Sequence, residues 1–248
     1  MEHGVDVKLL ADSLNVMIEK IKTLIDNVML EQMRLREAEL EILQMQINPH
    51  FLYNTLDAIG WLCEEERCQD AVEMVNALAK LFRISISKGH ELITIEKEVE
   101  HARSYLKIQN FRYKNQFSYE FQVEEDCLQY YCNKITLQPI IENAIYHGLD
   151  RMVDEGRILI RIYSEGEDVV FRVEDNGVGM SEEQCRSILH KEPGDNSGIG
   201  IKNVNDRIKI YFGKEYGLSI ESELDEGTTV IIRMPKVEEN AAAGWEKV

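Results

Sequence analysis

The chain has 248 residues, 28 of them basic and 45 acidic, for a formal net charge of −17. That balance argues against nucleic acid or an anionic membrane surface as a partner, because either would repel the protein. No segment approaches the roughly 18 consecutive apolar residues that a bilayer span needs, and the N-terminus lacks the basic-then-apolar pattern of a secretory signal. The five cysteines (Cys63, Cys68, Cys127, Cys132 and Cys185) are odd in number, and their Cys-x4-Cys spacings match no common zinc site, so free thiols are expected.

The first 46 residues hold a regular repeat of seven. Val7, Leu14, Ile21, Val28, Leu35 and Ile42 occupy one position, and Leu10, Met17, Leu24, Glu31, Ala38 and Met45 the position three residues on. There is no Gly or Pro between Gly4 and Pro49. Such a pattern predicts six heptads of coiled coil, and the β-branched residues at the first position favour a parallel homodimer. A long helix of an intramolecular bundle is the competing reading.

Residues 44–57 read Gln-Met-Gln-Ile-Asn-Pro-His-Phe-Leu-Tyr-Asn-Thr-Leu-Asp. Pro49 removes a backbone donor, so a helix running through it should bend and present His50, with Asn54 one turn further on. A helix that starts at Asn48-Pro49 and carries a surface histidine fits equally well. A second helix, Asp70 to Ser87, shows Val72, Val75, Leu78, Ala79, Phe82 and Ile86 on one face, and Lys88-Gly89-His90 is expected to end it. With the polar turn Glu64-Glu65-Glu66-Arg67 between them, the two helices should form a hairpin, and two hairpins a four-helix bundle. A third helix is expected at about 95–113.

From Phe117 the period changes from 3.6 to 2. Phe117, Tyr119, Phe121 and Val123 alternate with polar residues. Further strands are expected at 157–164, 168–174, 217–223 and 227–234, with helices at about 134–147 and 200–211. The expected fold is α+β: a long N-terminal coiled-coil helix, a helical hairpin, then a sandwich of strands and helices. The corresponding domains are residues 1–39, 40–92 and 93–237, with a flexible tail over 238–248.

Four separated pieces are polar or Gly-rich where a core would be apolar. Glu142, Asn143 and His147 lie on an otherwise apolar helix, where an Asn is costly unless it has a partner. Asp175-Asn176-Gly177-Val178-Gly179 follows a strand, placing an acceptor carboxylate beside glycines that let a ligand approach. Gly198-Ile199-Gly200-Ile201-Lys202-Asn203 runs into a helix whose free N–H groups favour phosphate. Gly227-Thr228-Thr229 lies between the last two strands. Each piece alone is weak.

Together, in this order, they resemble the GHKL (Bergerat) ATP-binding domain of histidine kinases. The resemblance implies that Asn143 binds Mg²⁺ at the phosphates of ATP, with Glu142 a second candidate ligand. It implies that Asp175 accepts the adenine amino group, and that Gly177–Gly179 and Gly198–Gly200 flank a mobile lid. His147, Lys202, Asn203, Arg207 and Thr228 complete the candidate nucleotide site. The stretch Gln-Ile-Asn-Pro-His-Phe-Leu-Tyr-Asn-Thr-Leu, with Leu81-Phe82-Arg83, Tyr105-Leu106-Lys107-Ile108-Gln109, Glu142-Asn143-Ala144-Ile145 and Gly200-Ile201-Lys202-Asn203-Val204, is similar to the LytS/YesM-type sensor histidine kinases over about residues 40–236. His50 is then the phosphoacceptor, and a response regulator receiver domain the next partner. A polar residue at the Asn54 offset is associated in such kinases with dephosphorylation of the regulator. Residues 6–25 resemble the last helix of a HAMP linker, which implies the cytoplasmic domain of a cell-membrane receptor kinase, tied to the membrane only through segments outside this chain.

Two positions depart from the histidine-kinase pattern. Tyr146 stands where a lysine usually follows the asparagine by three, leaving Lys202 or Arg207 to supply a cation. Phe51 stands where many such kinases carry an acidic residue after the histidine. The gyrase- or MutL-like ATPases use a glutamate four residues before the asparagine to activate water. Here that position is Pro139, which cannot serve as a base. A nucleotide-binding scaffold without kinase activity is the remaining alternative.

Overall fold

The structure, a computed structural model, describes residue 20 and residues 49–86, 91–114, 116–149, 155–190 and 199–239. The heptad repeat, the chain entering Pro49, Lys88-Gly89-His90 and Gly198 lie outside these. The chain divides into two compact units, Met1–Leu52 and Tyr53–Val248. Helix α1 (Pro49–Glu64) is followed by α2 (Cys68–Ser85), β1 (Leu92–Thr94), α3 (Ile95–Arg112), β2 (Phe117–Val123) and β3 (Tyr131–Asn133). Then come α4 (Leu137–Asn143), a π-helical turn (Ala144–Leu149), β4 (Gly156–Glu165), β5 (Asp168–Asp175), α5 (Glu182–His190), α6 (Ile199–Phe212), β6 (Gly217–Glu223) and β7 (Gly227–Pro235). No described helix is long and apolar enough to cross a membrane.

The main sheet has the order β2-β4-β5-β7-β6, with β2 and β4 parallel and every other pair antiparallel. Register aligns its side chains into rows across one face. One row runs Val123–Ile162–Phe171–Ile232–Leu218 and the next Phe121–Ile160–Val173–Val230–Ile220. Buried Ile140, Ile141 and Ile145, with Ile201, Val204 and Ile208 of α6, supply the helical side of this core. The third row is Tyr119–Ile158–Asp175–Thr228–Ser222. Its last three residues are polar. The opposite face carries paired charges, such as Arg161 and Arg172 each 2.7 Å from Glu174, as a solvated sheet face should.

Strands and helices match the sequence expectation in kind, with four differences. The helix expected from residue 134 begins at Leu137, because Ile135 adopts a φ of 57° that no α-helix admits. That residue is clamped from both sides. Its N–H donates to Glu98 Oε2 (2.9 Å), and its carbonyl accepts from Arg207 Nη2 (3.0 Å). Glu98 Oε1 also accepts from the N–H groups of Thr136 and Leu137, at 2.8 and 2.7 Å. A fully buried carboxylate on α3 therefore supplies the cap of α4.

The second difference is the buried face of α2. Ala71, Met74, Ala77, Leu78, Leu81 and Ser85 are buried, while Val72, Val75 and Ile86 of the expected face are about half exposed. Both stripes are apolar, and α3 covers the one with the smaller side chains. Within that contact Ser85 Oγ donates to Leu81 O (2.9 Å) and must therefore accept from His101 Nε2, also at 2.9 Å. The third and fourth differences are elements that no sequence signal announced: the short β1–β3 pair and α5. All five cysteines are free.

Glu98→Gln should expose the weight of the cap. The amide keeps one acceptor but sets a donor against a backbone N–H. A loss of about 2–3 kcal/mol is expected, read as a lower denaturant midpoint at unchanged slope.

Candidate nucleotide site

The polar end of the third row forms the floor of the site. Asp175 takes a position that the two neighbouring rows give to Val173 and Phe171, so the fold itself leaves its carboxylate half-buried. Burial pushes its pKa up to about 6, against the opposing pull of the backbone N–H groups of Gly177 and Thr228. The Gly177 N–H donates to Asp175 Oδ1 at 2.9 Å.

Two glycines wall this carboxylate. A Cβ on Gly148 would lie 2.8 Å from Asp175 Oδ1, and one on Gly177 would overlap the Gly148 backbone. Gly148 arrives there through the π-helical turn that follows α4, and its carbonyl accepts from Val178 N–H (3.2 Å). Single π turns inside helices are a recurrent way to re-aim residues at a site. Gly179, at φ 64°, crosses so close to Glu223 that no side chain would fit.

Thr228 is buried beside Asp175. Ser222 Oγ donates to the Gly227 carbonyl (2.7 Å) and accepts from Met180 N–H (2.8 Å), so the Thr228 hydroxyl donates to Ser222 across 2.9 Å. Its lone pairs can still accept, and Asp175 keeps acceptor capacity beyond what the Gly177 and Thr228 N–H groups take. An amino group bound here would meet acceptors.

On the other side, Asn143 ends α4, half-buried. The Glu142 carboxylate accepts from Gln138 Nε2 (2.8 Å) and lies beside the Tyr105 hydroxyl. Burial raises its pKa. Gly200 sits in the first turn of α6, where a Cβ would come within 3.2 Å of Pro139. The α6 N-terminus and the first turn of α4 are thus neighbours. Lys202 is half-buried and Asn203 exposed, both near that N-terminus. Arg207 lies deeper and is tied to Ile135. His147 falls in the π turn, and its side chain lies outside the described residues.

Of the histidine side chains that are described, His50 is exposed on the first turn of α1, and His101 is fully buried against Ser85. Asn54 is half-buried on the same helix as His50. Sequence reasoning missed Gly148, Ser222 and Glu98. Only Gly148 left a trace, as a helix-breaking residue directly after His147.

Residues 38–117 match the model of the histidine kinase family, and residues 132–238 that of the histidine kinase-, DNA gyrase B-, and HSP90-like ATPases. Sensor histidine kinase YesM of Bacillus subtilis is 36% identical over 235 residues, covering 94% of this chain and 40% of that protein. The chain belongs to the LytS/YesM family of sensor histidine kinases. Sensor histidine kinase BtsS of Escherichia coli is 31% identical over 201 residues, covering 81% of this chain and 34% of BtsS. Sensor protein LytS of Bacillus cereus is 31% identical over 210 residues, covering 84% of this chain and 36% of LytS. The chain therefore spans 40% or less of the length of these LytS/YesM relatives. Among solved structures, the catalytic domain of histidine kinase ThkA is 16% identical with a TM-score of 0.46, covering 60% of this chain and 97% of that one.

The raised Asp175 pKa makes stability pH-dependent. The folded protein holds the extra proton between the unfolded value near ~4 and the folded value of about 6. Stabilisation from this group is complete below that window and lost as pH rises through it. Urea titrations without nucleotide should show the wild type losing on the order of 2 kcal/mol relative to Asp175→Asn between pH 4.5 and 7.5.

Proposed function

We propose that this chain is the cytosolic kinase core of a membrane receptor. It acts as a homodimer, autophosphorylates His50 from ATP and Mg²⁺, and passes the phosphoryl group to an aspartate on a response regulator receiver domain. The observation that carries this reading is the Asp175 carboxylate, half-buried at the polar end of the sheet and walled by Gly148 and Gly177. A site of acceptors lined by backbone suits the flat, donor-bearing edge of adenine.

Each part then has a task. Asp175 accepts from the adenine amino group. The N–H groups at the start of α6, with Lys202 and Asn203 beside them, face the phosphates. The carboxamide oxygen of Asn143 is a hard donor of the kind Mg²⁺ takes in small number, and the ion would neutralise phosphate charge. In the transfer a His50 ring nitrogen attacks the γ-phosphorus, the bond to the β-phosphate oxygen breaks, and ADP leaves. The imidazole gives up its N–H proton. Such a transfer depends chiefly on in-line positioning and charge neutralisation. The domain division proposed is 1–39 for signalling, 40–92 for dimerisation and phosphotransfer, and 93–237 for nucleotide binding. Pro139, in the position of the ATPase base, speaks against water as the acceptor.

Incubation with γ-labelled ATP should give an acid-labile, base-stable label that His50→Gln abolishes while ATP affinity measured by calorimetry stays within about two-fold. A fully labelled mutant refutes the assignment.

Asn54 lies one turn after His50 and carries a group able to donate and accept, hence to orient a water at the regulator's acyl phosphate. Asn54→Ala should autophosphorylate at a near-normal rate, while the purified regulator keeps its phosphate longer. A parallel fall in both reactions would mark Asn54 as structural.

A further inference from the structure

Asn143 stands at a weak point of its helix. The α-helical ladder ends with it, the π turn begins at Ala144, and the Ala144 N–H is shared between the carbonyls of Ile140 and Ile141. Main-chain hydrogen bonds alone leave the rotation of this junction poorly defined. Side chains on both sides of it reach the same point on α3. Before the junction, the Glu142 carboxylate lies close enough to the Tyr105 hydroxyl to help raise its pKa. After it, the Tyr146 hydroxyl is 3.1 Å from Gln109 Nε2. Gln109 Nε2 also lies 2.5 Å from the Tyr105 oxygen.

The direction of these bonds is set by a guanidinium. Arg112 Nη1 donates to Gln109 Oε1 (2.8 Å), and since arginine only donates, the amide nitrogen must face the two phenols. Tyr105 therefore accepts from Gln109, so its own proton is available to the neighbouring Glu142 carboxylate. The polarity runs Arg112, Gln109, Tyr105, Glu142, with a branch to Tyr146. Gln109 and Tyr105 are fully buried, so these two have no water to fall back on. Tyr146, which stands in place of the lysine other histidine kinases carry, is thus tied to α3 by its hydroxyl. Its ring also packs edge-on to Tyr113, at 6.5 Å between centroids.

We propose that Gln109 is a positioning residue which, acting through Tyr105 on Glu142 and directly on Tyr146, holds the α4 junction in the rotation that aims Asn143 at the metal and phosphates. The inference rests on the reading of Asn143 as the Mg²⁺ contact. Groups that orient a metal ligand commonly change metal affinity by about 10-fold or more when removed, without touching the metal.

The test compares the full chain with Gln109→Glu, Tyr105→Phe and Tyr146→Phe. Glutamate keeps the size and the Arg112 contact but has no donor, so it reverses the bond from Tyr105 and strips it from Glu142. The phenylalanines delete one tie each, and Tyr146→Phe does so at an exposed position where folding is not at stake. The readout is ATP affinity as a function of Mg²⁺, beside the affinity for adenosine, which has no phosphates. Gln109→Glu and Tyr105→Phe should need about 10-fold more Mg²⁺ for half-maximal ATP binding, Tyr146→Phe a smaller increase. Adenosine affinity should hold within about two-fold, and excess Mg²⁺ should restore His50 labelling. Wild-type Mg²⁺ dependence in Tyr105→Phe and Tyr146→Phe overturns the proposal, as does an equal loss of adenosine and ATP binding. A wild-type chain that binds ATP with no Mg²⁺ dependence would instead remove the Asn143 reading, and the proposal with it.

Discussion

A single buried carboxylate sets where α4 begins. Glu98 gathers the N–H groups of Ile135, Thr136 and Leu137, and in doing so stabilises a β-branched residue at positive φ that would otherwise be a strained outlier. Arg207 of α6 holds the same peptide from its carbonyl side. From that start α4 runs to Asn143, where the π turn takes over. Gly148 then falls where the following turn meets Asp175. The cap is a structural device, yet it fixes the start of the helix that carries Asn143.

The sheet supplies the complementary half. Cross-strand register sorts its inner face into two apolar rows and a third that turns polar at Asp175, Thr228 and Ser222. An acid in a core position is costly unless backbone donors face it. Gly177 and Thr228 supply those donors, and the remaining cost appears as a raised pKa. A ligand whose edge donates into this carboxylate would favour its ionised form, so a site that is poor for stability is good for recognition. At α2, the apolar side chains of Val72, Val75 and Ile86 stay about half exposed.

Much of this could be read in the residues. Strand period, the glycines after Asp175 and the Asn in an apolar helix each reflect a local preference that a linear chain records directly. The face of α2 could not be read, because both of its stripes are apolar and the choice between them belongs to α3. Nor could Glu98 be read: an acidic residue in a helix rich in charge looks solvent-facing until the loop 39 residues downstream folds over it. Gly148 and Tyr146 needed the π turn, which no periodicity announces.

Composition, order of motifs and local chemistry by themselves determined the fold class, the family resemblance and the residue types at the site, because those depend on patterns within a few turns of chain. Tertiary structure alone decided which acid caps a helix and which ends a row of the sheet's inner face, which hydroxyl donates and which accepts, and which tyrosine is tied where a lysine was expected. Those depend on partners from distant segments, and a hydrogen bond acquires its direction only when both ends are in place.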